Sequence, residues 1–141
     1  MTVRRALIAL MVMTNSSTIA APINPAVTPE TIRATICKAG WTNTIRPPVA
    51  YTNRIKMAKM RAAGIPAHEA RLFALDHIIP LALGGAAGDP DNLQIQPLAE
   101  ARGKDRLEKC LKLAVCKGQI ALDDARTAIW TNWRSAGCPM R

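Results

Sequence analysis

The chain has 141 residues, only three tryptophans, one tyrosine and one phenylalanine among its aromatics, and a net charge of +9. That length allows one domain around one modest core and excludes a separate reading domain beside it. With so few aromatics the core rests on Leu, Ile, Val, Ala and Met, in a helix-rich α+β fold.

The first twenty residues read as a secretory signal. Arg4 and Arg5 form a positive n-region, Ala6 to Met13 an apolar h-region, and Thr18-Ile19-Ala20 a small-residue cleavage site. The apolar run is too short to span a bilayer, and no later segment is apolar enough. The expected mature domain is 21–141, secreted or periplasmic, with no membrane contact after signal removal. Losing Arg4 and Arg5 lowers the net charge from +9 to +7. The remaining charge is unevenly placed. Residues 76–100 carry Asp76, Asp89, Asp91 and Glu100 and no base, whereas the segments on either side are strongly basic. An acidic centre between basic arms suits a metal-dependent site on a phosphate-binding surface, although a basic secreted protein can also simply carry solvated lysines.

Four cysteines, Cys37, Cys110, Cys116 and Cys138, follow the signal. An even count in an exported chain implies two disulfides, and three pairings exist. The favoured one joins Cys37 to either Cys110 or Cys116 and leaves the other to Cys138. There is no CxxC pair, which argues against a zinc ribbon.

In chain order, 21–27 reads as extended or disordered around Pro22 and Pro25. Thr28-Pro29-Glu30 predicts a helix start, with Ile32 and Ile36 on one face, running to about Cys37 and stopped near Gly40. Gly40 to Ala50 reads as an extended connection pinned by Trp41. Tyr51 to Ala62 is a predicted helix with Tyr51, Ile55, Ala58 and Ala62 on one side. Arg54, Lys56, Lys59 and Arg61 surround the rest, as a solvated or a phosphate-contacting face. His68 reads as exposed. Leu72 to Leu81 is a predicted strand, Gly84-Gly85 and Gly88-Asp89-Pro90 turn chemistry, and Asn92 to Pro97 a return strand. From Leu98 a helix pattern puts Leu107, Leu111, Ala114 and Val115 on one face. Its acid-before-base pairs Glu100/Lys104, Asp105/Lys109 and Glu108/Lys112 lie on an exposed side. Gly118 ends it. A last helix carries Leu122, Ala125, Ile129 and Trp133 on one face, its tryptophans serving as core anchors.

The run Asp76-His77-Ile78-Ile79-Pro80-Leu81, then Gly84-Gly85, then Asn92-Leu93, resembles the ββα-metal finger of the HNH endonucleases. Cys37 to Trp41, Arg46-Pro47-Pro48 and Lys104 to Glu108 resemble a small secreted branch of that family. The resemblance implies a disulfide-stapled domain with its ββα core at about 71–117 and flanking helices. It implies hydrolysis of nucleic-acid phosphodiesters with low sequence specificity, DNA first and RNA second. His77 would be the general base, with Asn92 accepting from one imidazole nitrogen to orient the ring. Asp76 would ligate a divalent cation, Mg2+ first, with Mn2+, Ni2+ and Zn2+ as alternatives. The helix ligand of the family pattern falls on Ala101 or Arg102, neither of which binds a cation. Glu100 is the substitute metal ligand; Arg102, Lys104 and Arg54 are candidate phosphate contacts. Adjacent strand residues face opposite ways, so Asp76 and His77 share a site only if the strand bends there or a cofactor sits at its edge. Whether an immunity or inhibitor protein is a partner is open. The alternatives are an inactive HNH-like nucleic-acid-binding protein and a disulfide-stapled module that binds another protein.

Overall fold

The computed structural model describes residues 21–139; the expected signal segment 1–20 lies outside them. The fold is mixed α and β, with a two-stranded antiparallel sheet and two disulfides. The first described residues are extended and docked. Ile23 bridges to Gly85, and Asn24 N donates to Gly84 O at 2.8 Å.

The expected helix from Thr28 to Cys37 is absent; a chain of turns takes its place. Thr31 Oγ accepts from Thr28 N at 2.8 Å and donates to Ala26 O at 2.7 Å, while Thr35 Oγ donates to Thr31 O at 2.8 Å. Hydroxyls that engage nearby backbone compete with a regular ladder, and Thr31, Ile32, Thr35 and Ile36 are all β-branched. Val27 and Ile36 are still buried. A one-turn helix α1, Trp41–Thr44, then replaces the predicted extended connection, entered through Gly40 at φ 76°.

Helix α2, Val49–Ala62, starts after Pro48 and ends before Gly64 at φ 69°. Its inward residue is Met60, whereas Ala58 and Ala62 face solvent. Lys56 also turns inward, donating to Ala70 O at 2.8 Å and Phe73 O at 2.7 Å, and so ties α2 to the 3-10 turn Ala67–Leu72. His68 is exposed as expected.

Strand β1, Phe73–His77, pairs with β2, Leu93–Pro97, in the register Phe73 to Pro97 through His77 to Leu93. The predicted strand to Leu81 is cut short because Pro80 leads into a 3-10 turn, Leu81–Leu83. A third 3-10 turn, Pro90–Asn92, is capped by Asp89 and leads into β2. Helix α3, Leu98–Cys116, follows at once and is closed by Gly118 at φ 71°, with Gln119 N donating to Ala114 O at 2.8 Å. Helix α4 is Leu122–Asn132. Both α2 and α3 contact both strands.

The core joins Val27, Ile36, Ile79, Leu83, Leu111, Val115, Leu122, Ala125 and Ile129, with Trp41, Trp130 and Trp133 packed against it. It therefore lies under the loop end of the hairpin. Arg126 on α4 is buried there, donating to Leu83 O at 2.8 Å and Val27 O at 2.9 Å. Disulfides join Cys37 to Cys116 and Cys110 to Cys138, one of the arrangements within the favoured pattern. No described helix is long and apolar enough to cross a membrane.

Candidate active site

A groove of about 480 Å³ opens where β1 ends, bordered by Asp76, His77, Arg46, Lys56, Asp105 and Glu108. The strand is regular through this point, since Asp76 pairs with Gln94 and His77 with Leu93. The two side chains diverge: Asp76 reaches toward α3 and His77 toward the 84–92 loop. Both border the groove because it sits at the strand end.

His77 Nε2 lies 2.9 Å from Ala87 O. A carbonyl only accepts, so in the neutral ring Nε2 carries the proton and Nδ1 keeps the lone pair. The ring itself borders the groove. Burial is the main cause that holds the imidazole below its ordinary pKa, with Lys104 and Arg46 acting in the same direction against Ala87 O and Asp76. The environment of His77 thus favours the neutral ring.

The loop that positions it is held by three consecutive carbonyls. Asn92 Nδ2 donates to Ala86 O at 2.9 Å, His77 to Ala87 O, and Tyr51 Oη to Gly88 O at 2.6 Å. Asn92 is fully buried; its Oδ1 accepts from Ile79 N and its Nδ2 also donates to Ile79 O, both at 2.9 Å. The expected bond from its amide to the imidazole is absent. A buried amide with a main-chain N–H and two carbonyls in reach spends its capacity on them, so Asn92 acts on His77 through the loop. The loop also needs its glycines. A Cβ on Gly85 would stand 1.8 Å from Ile79 O, and Gly84 at φ 77° packs on Arg126 and Val27.

Lys104 is the largest departure from the sequence expectation. Its side chain is 1% exposed, and its ammonium lies 2.8 Å from Asp76 Oδ2, 2.7 Å from Glu108 Oε1 and 2.5 Å from His77 O. It cannot contact phosphate, and it pairs forward with Glu108 rather than back to Glu100. Two of its three protons go to Glu108 and His77 O, and Asp76 Oδ2 is ion-paired with it outside hydrogen-bond geometry. Burial raises the Glu108 pKa, against the pull of the Lys104 ammonium.

The other expected contacts lie elsewhere. Glu100 pairs with Arg134 and does not border the groove. Arg102 and Arg54 are exposed but do not border the groove. Arg46 does, and its charge is felt by His77. The Arg46-Pro47-Pro48 run was its sequence signal, as the Lys104 to Glu108 run was for Asp105 and Glu108; Tyr51 carried none beyond helix periodicity.

Among the described residues no group of three or more His, Cys, Asp or Glu side chains could hold a metal. The donor set therefore does not fit a closed tetrahedral zinc-type site. It fits a hard cation that takes one oxygen from the protein and the rest from water and phosphate, as Mg2+ commonly does. Asp76 Oδ1 is the carboxylate oxygen that would be left for it, because Oδ2 is buried against Lys104. No protein-family model, no curated protein and no solved structure matches this chain.

Proposed function

We propose that the protein is an exported, HNH-like endonuclease that hydrolyses phosphodiester bonds of nucleic acid, DNA foremost, on a ββα-metal hairpin. The observation that carries this reading is the His77 imidazole, fixed through Nε2 on Ala87 O, beside Asp76 in a groove bordered by Arg46. His77 Nδ1 takes the proton from the attacking water. Arg46 faces the charge that grows on the phosphoryl oxygens. Asp76 Oδ1 would hold a divalent cation, whose chemistry is to neutralise the phosphate and the leaving oxygen. Asn92 and Tyr51 keep the loop carbonyl in place, and Lys104 holds the other end of the Asp76-His77 pair. Contacts confined to backbone phosphates give cleavage with little sequence preference.

The test is nicking of supercoiled plasmid by the oxidised protein across Mg2+, Mn2+, Ni2+ and Zn2+. Wild type nicks with Mg2+ or Mn2+ and stops with chelator, and His77→Ala lowers the rate by about 10²–10⁴-fold. Absence of nicking with every metal rejects the enzymatic reading. The displacement of Glu100 onto Arg134 favours one second reading, a nucleic-acid-binding protein without activity. It predicts salt-sensitive DNA binding and an intact plasmid.

A further inference from the structure

Lys104 is a buried charge that the proposed reaction does not consume. Three hard oxygens, Asp76 Oδ2, Glu108 Oε1 and His77 O, surround its Nζ at 2.8, 2.7 and 2.5 Å. Two carboxylates and a carbonyl are the donor types that Ca2+ and Mg2+ select. The ammonium itself is 1% exposed, so no solvent ion shares the position with it. A divalent cation placed beside it would meet a fixed positive charge in a water-poor setting, where screening is weak.

We propose that Lys104 is the resident cation of this site: it fills the oxygen cage between Asp76 and Glu108, so that the folded chain takes up a divalent metal only together with a substrate phosphate. The second half rests on the nuclease reading; the first half does not. Lys104 is then a positioning residue. It fixes Asp76 by one oxygen, leaves Oδ1 for the groove, and anchors the His77 main chain from below while Ala87 O holds the ring from above.

The experiment is Mn2+ binding to the full oxidised chain, read by electron paramagnetic resonance and by thermal melting. Wild type alone leaves the free Mn2+ signal and the melting temperature unchanged at millimolar metal. Lys104→Ala empties the cage, and Mn2+ then raises its melting temperature by on the order of 5 °C. Adding Glu108→Gln to that variant abolishes the rise. For the second half, His77→Ala with a short DNA duplex depletes free Mn2+ beyond the level set by Asp76→Asn/His77→Ala with the same duplex. Wild type that binds Mn2+ alone, with loss in Asp76→Asn, overturns the proposal. So does a Lys104→Ala variant with wild-type circular dichroism and no Mn2+ response. Should Lys104→Ala fail to fold, the wild-type titration and refolding of the variant by Mn2+ still decide. None of these readings uses cleavage. A chain that never nicks DNA yet shows the Lys104→Ala response loses the nuclease reading and keeps the resident lysine. A chain that nicks DNA and binds Mn2+ unaided does the reverse.

Discussion

His77 is the residue on which the proposed chemistry turns, and its environment makes a measurable demand. Burial disfavours the imidazolium, so its NMR titration midpoint falls below the ordinary value of about 6.5. Nicking then rises with pH through that lowered midpoint and is level near neutrality. The same shift bears on stability. The unfolded chain binds this proton more readily than the folded one, so the residue's contribution is complete above its unfolded pKa and is lost as pH falls through the folded value. Asn92 makes a second demand. Asn92→Ala leaves Ile79 N, Ile79 O and Ala86 O without their partner, a loss of about 2–4 kcal/mol in urea unfolding. Asn92→Asp costs at least as much, because it points a carboxylate at two carbonyls. Asp76, His77 and Asn92 were legible in the sequence as a group, from residue type and order. The partner of Asn92 was not, because an amide before a strand looks alike whether it turns to a ring or to the chain. Lys104 was misread for a related reason. An acid four residues earlier made it look like half of an exposed pair, and only the packing of α3 on β1 turns it inward.

At the scale of elements, strong periodicity and Gly or Pro punctuation marked α2, the hairpin, α3 and α4. The two misses were short or self-bonding. Four residues of α1 carry no period to read, and the hydroxyls of Thr31 and Thr35 break the 28–37 helix from within. The hairpin loop is the element most exposed to substitution. Gly85→Ala would press a methyl group against the Ile79 carbonyl, which costs about 3 kcal/mol or rearranges the loop. Tyr51→Phe is gentler, removing one bond worth about 1 kcal/mol. It loosens the segment that carries Ala87 O, so the expected result is a lower nicking rate with a melting temperature lowered by only about 3–5 °C. Equal rates for Tyr51→Phe and wild type would show that α2 plays no part in placing the base.

Across the whole molecule, the disulfides and the core act on the same region. Cys37–Cys116 spans 79 residues and Cys110–Cys138 spans 28, so chain-entropy estimates give roughly 4–5 and 3–4 kcal/mol. Replacing the first pair with serines therefore lowers stability more than replacing the second, which urea unfolding of the two double variants checks. The even cysteine count showed that two bridges would form. Their pairing needed the fold, because Cys110 and Cys116 share one helix and only the docked 28–37 turns bring Cys37 to the latter.

The three tied carbonyls at 86–88 have a consequence for the order of assembly. Their partners come from α2, the end of β1 and the entrance to β2, so the loop closes only when all three have docked. A chain with the hairpin formed but α2 still loose lacks the Tyr51 bond to Gly88 O, so the segment that carries Ala87 O is tied on one side only. Under the proposed reaction, such a half-assembled molecule carries the motif with its imidazole less firmly placed.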